Sequence, residues 1–327
     1  MSAPTGPVFV VGCPRSGTTL LTLMLSSHSR IAIPPETRFL LPVFRRRASF
    51  GDLGDLRNRR RLARALVRRK GTKFRHLGLD KKAVKRAVKR SPPTIGSAIG
   101  AVYRTYAASQ GKVRWGDKRP TYFRNVELLR TLFPDAQFVH LVRDGRDCVA
   151  SLKRMRWWQH GTAGAVATWV HAVDCGAREA RRLPDGTWHE LRYEDLVADP
   201  RRELESLCAF LGEEFEEGML APHVLADRLP RRQREVWHAE TRGVVDARRV
   251  GSYADVLTEV ELALVERVAG SRLRRWGYEV PAGRRRPSLP TLARYGKVLT
   301  VMRAKTRLQA ARDRARARPA AAVADRG

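Results

Sequence analysis

Pro7-Val8-Phe9-Val10-Val11-Gly12-Cys13-Pro14-Arg15-Ser16-Gly17-Thr18-Thr19 is the stretch on which the fold turns. Its first five residues form an apolar run that predicts a buried strand. A helix is expected to begin near Thr18 and to run through Leu20, Leu21, Leu23, Met24 and Leu25. The glycine-bounded loop between them aims successive backbone N–H groups at one point, where the helix N-terminus adds partial positive charge. That is a phosphate cradle. ATP-binding loops of the pattern G-x-x-x-x-G-K-[ST] place a lysine between the positions of Gly17 and Thr18. This chain has none there, and Arg15 lies inside the loop instead. The loop is expected to bind an anion, but not as an ordinary ATPase does.

Outward from this unit, Ile31 to Arg38 reads as a loop stiffened by Pro34 and Pro35. Residues 40–110 look helical and basic, with Leu62, Ala63, Leu66 and Val67 as one apolar stripe. Trp115 to Pro120 reads as a loop, and Asn125 to Phe133 as a helix stopped by Pro134. Phe138 to Val142 and Thr187 to Leu191 predict two more strands. Helices are expected after Arg143–Asp147, from Pro200 to Leu211 and from Glu259 to Ala269. Strands alternating with helices indicate a P-loop-like, three-layer α/β fold, its central, mostly parallel sheet flanked by helices. Ligands of such folds bind beyond the carboxyl ends of the strands.

The chain is 327 residues long and 43% hydrophobic, enough to bury a substantial core. Cys13, Cys148, Cys175 and Cys208 form no C-x-x-C pair, which points to a reduced, cytoplasmic protein and not to a disulfide framework. No compact ligand pattern calls for a metal, and the N-terminus has no signal-like segment. The net charge of +31 is unevenly placed. Residues 45–90 hold nineteen Lys/Arg against Asp52, Asp55 and Asp80, and residues 284–327 hold thirteen against Asp313 and Asp325. Solvated helical faces account for such runs. So does attraction to an anionic acceptor or to the inner surface of an anionic membrane.

With the loops Gly12–Thr19, Asp117–Pro120 and Arg143–Ser151 assembled, the chain resembles the sulfotransferases that use 3′-phosphoadenosine-5′-phosphosulfate as sulfuryl donor. Their P-[RK]-S-G-T-T core stands here as Pro14-Arg15-Ser16-Gly17-Thr18-Thr19. The resemblance implies that Arg15, Ser16, Gly17, Thr18 and Thr19 grip the 5′-phosphosulfate. It also implies that Arg143, at a strand end, and Ser151, eight residues later, meet the 3′-phosphate. A looser likeness places Arg249 and Gly251 over that phosphate. Arg192-Tyr193-Glu194-Asp195-Leu196 and Trp276-Gly277-Tyr278 also look like bacterial members. On this likeness residues 7–281 form the sulfotransferase domain, with a basic helical insertion at about 40–110. Residues 282–327 form a basic, Arg/Ala-rich tail, a peripheral helix or partly disordered, without a large apolar face.

Sulfuryl transfer asks for positioning and for charge stabilisation around an in-line displacement. Arg15 suits the charge that grows on the leaving 5′-phosphate oxygen. Lys118, in Gly116-Asp117-Lys118-Arg119-Pro120, resembles the lysine that tyrosylprotein sulfotransferases and bacterial relatives place near the bridging oxygen. The acceptor hydroxyl or amine needs a base. Glu36 is the candidate, because Glu36-Thr37-Arg38 resembles the element that carries the base in the tyrosylprotein enzymes, although Pro34-Pro35 departs from its neighbours. Histidines are the rivals. His28 reads as a helix cap and His140 as core, while His160, His171 and His189 are unplaced. Trp157 and Trp158 fit core packing or a pocket wall. The expected acceptor is a small molecule, carbohydrate or lipid. The competing classes are a P-loop kinase using ATP and magnesium, which the missing lysine disfavours, and a basic nucleic-acid-binding protein, for which no recognised motif is present.

Overall fold

The computed structural model describes residues 6–68, 71–228, 249–282 and 286–315. Strand β1 (Val8–Gly12) stands at the centre of a five-stranded sheet. Around it lie β2 (Ile31–Ala32), β3 (Arg114–Lys118), β4 (Gln137–Val142) and β5 (Trp188–Arg192), in the order β2-β3-β1-β4-β5 with every pairing parallel. Every residue of β1 is buried, as a strand covered on both faces must be. The chain builds β2 and β3 on one side of β1 and then β4 and β5 on the other, so the winding reverses at β1. The crevice at such a reversal opens beyond the carboxyl end of the central strand, where the Gly12–Thr19 loop sits.

Helices fill both faces. α1 (Thr18–Ser27) follows the loop, and α2 (Leu40–Arg45), α3 (Leu56–Leu66), α4 (Lys81–Arg90) and α5 (Ile95–Ser109) connect β2 to β3. α6 (Val126–Leu132) leads to β4, and α7 (Gly145–Lys153) and α8 (Gly161–Arg182) lead to β5. α9 (Tyr193–Ala198), α10 (Pro200–Leu211) and α11 (Pro222–Arg228) come next, then α12 (Glu259–Arg275) and α13 (Leu289–Ala315). One core joins Val8, Val10, Val139, Leu141 and Leu191 to α1 and α10, while Phe9, Val11, Phe138 and Val142 face the other core with α5, α7 and α8. Alternation along β1 thus serves both layers, each large side chain contributing roughly 1.5–3 kcal/mol on burial.

Three elements differ from the sequence reading. Trp115 to Pro120 is no simple loop, because Arg114–Lys118 forms β3 and Ile31–Ala32 pairs beside it. Arg-Trp-Gly-Asp-Lys hides a strand, since charged residues enter a sheet interior only when fully partnered. Arg114 donates from Nε to Gly6 O (2.9 Å) and from Nη1 to Leu211 O (2.7 Å), and it pairs with Glu213. α8 (22 residues) is absent from the sequence reading: it carries alanine and glycine where a helical stripe would show leucine, and every residue from Ala163 to Val173 is buried. The tail has an apolar face after all: α13 lays Tyr295 and Leu299 against the body, and His171 Nε2 of α8 lies 3.1 Å from Thr306 Oγ1. Residues 316–327 lie outside the described residues.

In the basic segment the stripe forms as expected, with Leu62, Ala63, Leu66 and Val67 all buried. Its three acids serve the backbone. Asp55 and Asp80 cap α3 and α4, and Asp52 accepts from Gly54 N (2.8 Å). The surrounding arginines and lysines therefore gain little local compensation.

Candidate active site

Three backbone positions with positive φ shape the Gly12–Thr19 loop. They are Gly12 (φ 158°), Arg15 (φ 75°) and Gly17 (φ 92°). A Cβ on Gly12 would meet Leu141 O at 2.5 Å, and one on Gly17 would meet the Tyr193 ring at 2.4 Å, so only glycine fits either place. Arg15 adopts a conformation costly for its residue type, the kind of strain that clusters at binding loops. α3, α4, α5, α7, α10 and α12 each have a side-chain N-cap, whereas α1 has no side-chain cap and no acid in its first turn. Its first-turn N–H groups lack intrahelical acceptors, and no acid of its own first turn offsets its positive end. Ser16 is fully buried, and its Oγ has no hydrogen-bond partner among the described residues. A buried, unsatisfied hydroxyl beside a helix N-terminus fits a tetrahedral oxyanion.

A second cluster of site residues forms at the end of β4. Arg143 is buried, stacks over the Tyr193 ring at 4.6 Å, pairs with Asp147 at 3.2 Å and donates from Nη2 to Arg249 O. Its Nε has no acceptor among the described residues. Asp147, on the first turn of α7, accepts from Gly251 N (3.0 Å) and Tyr253 N (2.9 Å), so a single buried carboxylate ties the Arg249–Tyr253 segment to α7. Arg15 Nε donates to Ser151 Oγ (3.1 Å), joining the loop to this cluster. The structure therefore brings Arg15, Ser16, Gly17, Arg143, Ser151, Arg249 and Gly251 together beyond the carboxyl ends of β1 and β4.

Lys118 ends β3, nearly fully buried, and donates from Nζ to Thr19 Oγ1 (3.2 Å), which brings its charge to the loop. Asp117, one residue earlier, is wholly buried. It accepts from Lys118 N (3.0 Å) and from the hydroxyls of Tyr103 and Tyr122 (2.7 Å each). Burial lifts its pKa to about 6 against the pull of those hydrogen bonds. With Tyr103 donating to Asp117, Thr37 Oγ1 donates to Tyr103 Oη (2.8 Å), so the Glu36–Thr37 turn hangs from the same carboxylate as Lys118. Glu36 is partly exposed, and Arg38 (3.6 Å) and Lys73 (4.0 Å) both approach its Oε1. Neither carboxylate oxygen accepts a hydrogen bond among the described residues.

The rival histidines sit elsewhere. His28 caps α1, with Nε2 2.8 Å from Glu214 O, and His140 is buried beside Glu190 (3.2 Å). His160 packs on Trp158, His189 on Phe210 and His171 under α13. Trp157 is 60% exposed, while Trp158 packs against the core. Roles for Asp117, Asp147, Tyr193 and Glu194 escape sequence reading. Glu194 accepts from Asp144 N (3.0 Å) and Tyr278 Oη (2.7 Å), and burial raises its pKa. A signal is present in Arg192-Tyr193-Glu194-Asp195-Leu196, but nothing local says that Tyr193 supports both Gly17 and Arg143.

The profile of the sulfotransferase family matches residues 7–217. The chain belongs to that family. It is 28% identical over 225 residues to nodulation protein NoeE of Sinorhizobium fredii, covering 62% of this chain and 49% of that protein. It is 24% identical over 220 residues to protein-tyrosine sulfotransferase 2 of Gallus gallus, covering 65% and 53%. The chain thus spans about half the length of these curated relatives. Among solved structures, the sulfotransferase domain of the Synechococcus PCC 7002 olefin synthase superposes with a TM-score of 0.59 at 24% identity, covering 86% of this chain and 98% of that one. The domain from the curacin biosynthetic pathway gives 0.57 at 23%, covering 86% and 100%. Both have the same fold.

Proposed function

We propose that this enzyme moves a sulfuryl group from 3′-phosphoadenosine-5′-phosphosulfate to the hydroxyl, or amine, of an acceptor. The observation that carries the reading is a pair of unsatisfied buried atoms, Ser16 Oγ in the loop and Arg143 Nε at the end of β4, in the two clusters that the Arg15–Ser151 hydrogen bond joins. A ligand with two separated anionic groups answers both. The Ser16–Thr19 N–H groups with Arg15 would hold its 5′ end, and Arg143, Ser151 and the Arg249–Gly251 segment its 3′-phosphate. The bound donor supplies an activated sulfuryl group with a phosphate leaving group. Lys118 and Arg15 place positive charge where negative charge grows on that leaving oxygen, and they need no reorganisation to do so. Glu36 accepts the acceptor's proton at Oε2, while Arg38 and Lys73 hold Oε1. The named acceptors of relatives, protein tyrosine and omega-hydroxy-beta-dihydromenaquinone-9, suit a hydroxyl as the receiving group. For this chain the acceptor class is a small-molecule, carbohydrate or lipid hydroxyl.

Calorimetry in EDTA tests the donor end. Adenosine 3′,5′-bisphosphate is expected to bind at least tenfold more tightly than ATP does with Mg²⁺ in a matched run without chelator. The reverse order overturns the reading in favour of a kinase. Transfer of ³⁵S from labelled donor to an extract of candidate acceptors then tests the reaction.

A further inference from the structure

α13 has two faces. One packs on the body through Tyr295 and Leu299, with Leu292, Val298 and Met302 beside them. The other looks outward. Ala293, Lys297, Val301, Ala304, Leu308 and Ala311 follow one another at steps of three or four residues and are all exposed, Val301 at 44% and Leu308 at 59%. At 3.6 residues per turn these positions make one stripe along the helix. Arg294, Lys305 and Arg312 run along one margin and Arg307 along the other. Among the described residues, none of these four, nor Lys297, makes an ion pair. The only carboxylate on α13, Asp313, is buried and turned to Arg45 (3.5 Å). A stripe of small and apolar residues, interrupted by Lys297, edged by cations and free of acids, repels a second copy of this strongly basic chain. It matches the boundary between acyl chains and anionic headgroups. No helix among the described residues is long and apolar enough to cross a membrane, so contact by this helix would be peripheral.

A second basic surface lies on the segment to which the end of α13 is tied. Arg45 and Arg47 tie the end of α13 to the segment that leads into α3. On α3 and just beyond it, Arg57, Arg61, Arg64 and Arg68 form an exposed row at helical spacing, and on α4, Lys82, Arg86 and Arg90 form another. None of these seven makes an ion pair among the described residues. From this we infer that α13, seconded by the α3–α4 pair, is a docking surface for an anionic lipid bilayer, with Val301 and Leu308 entering the interface. The inference rests on surface chemistry and is independent of the sulfuryl donor.

Vesicle co-sedimentation with the full chain at 150 mM salt tests it. Phosphatidylcholine vesicles with about 30% phosphatidylglycerol should bind at least tenfold more tightly than phosphatidylcholine alone. Val301→Glu with Leu308→Glu, both exposed and so compatible with folding, should weaken that binding at least fivefold. Leu308→Trp should add a blue-shifted emission component that bromolipids quench. Full binding by the double variant, or added emission in Leu308→Trp that vesicles leave unchanged, overturns the inference by reducing the contact to charge alone. So does duplex DNA that binds equally tightly and with equal loss in the double variant, which would make the face a general polyanion surface.

Discussion

The two ends of the candidate site are built differently. At the end assigned to the donor, between the Gly12–Thr19 loop and α7, contacts come in short runs of sequence locked by direct hydrogen bonds: Arg15 to Ser151, and Asp147 to Gly251 and Tyr253. Tyr193 lies under both Gly17 and Arg143. At the end assigned to the acceptor, the Glu36–Thr37 segment is tied to the strand that carries Lys118 through the buried relay Thr37–Tyr103–Asp117. The first arrangement is read from motifs. The second exists only when separate segments have folded together.

Separate construction predicts separable defects. The largest effect is expected for Glu36→Gln, with kcat lower by about 10³-fold and the affinity for adenosine 3′,5′-bisphosphate unchanged by calorimetry. Turnover within a few-fold of the parent chain would remove Glu36 as base and return the role to a histidine. Arg143→Ala should do the opposite. Loss of a buried charge-assisted contact weakens bisphosphate binding by about 10²-fold, with kcat at saturating donor changed far less. If both variants lost binding and turnover together, the two ends would be one unit and the contrast would collapse.

Tyr103→Phe sharpens the contrast. It deletes the hydroxyl between Thr37 and Asp117 while keeping the ring stacked on Trp115 at 4.7 Å. Turnover should fall by about tenfold, from a base held less closely, with bisphosphate affinity intact and Tm nearly so. His171 lies outside both ends and supplies a control. Burial, aided by Arg124, Arg303 and Arg178, lowers its pKa to about 4. Its unfolded value of 6.5 is higher, so the unfolded chain takes up more protons between these limits. The stability contribution is present above pH 6.5 and lost as pH falls toward 4. About 1 kcal/mol should disappear between pH 7 and 5.5. His171→Gln should flatten that part of the Tm profile and leave binding and turnover at pH 7.5 untouched.

The same division explains what can be read from the chain. β1, its loop, β4 and α10 announce themselves because their signals are local: apolar runs, glycines where only glycine fits, and a proline at N1. Arg15, Ser16, Gly17, Arg143 and Ser151 come with them, and the structure gathers all five. β3 stays hidden because Arg114 and Asp117 are tolerable in a strand only after Leu211, Gln137, Tyr103 and Tyr122 arrive to satisfy them. The contribution of α13 is hidden too, because apolar residues on two opposite faces cancel in any search for one stripe. Glu36 is found by likeness to a motif. Its tether, Thr37 to Tyr103, spans 66 residues and leaves no trace along the sequence.

The Tyr193 ring, packed between the Gly17 backbone and the Arg143 guanidinium, acts as a gauge. The Gly12–Thr19 loop and the Arg143 cluster cannot draw together without crushing it, nor part without losing its stacking. Their separation is therefore a fixed dimension of the molecule. If both hold phosphates, as proposed, a ligand with a single phosphate would satisfy one position at a time, and one whose second phosphate is set at another ribose carbon would meet the gauge out of step. Selection among nucleotides would then be a measurement of length, made before any chemistry begins.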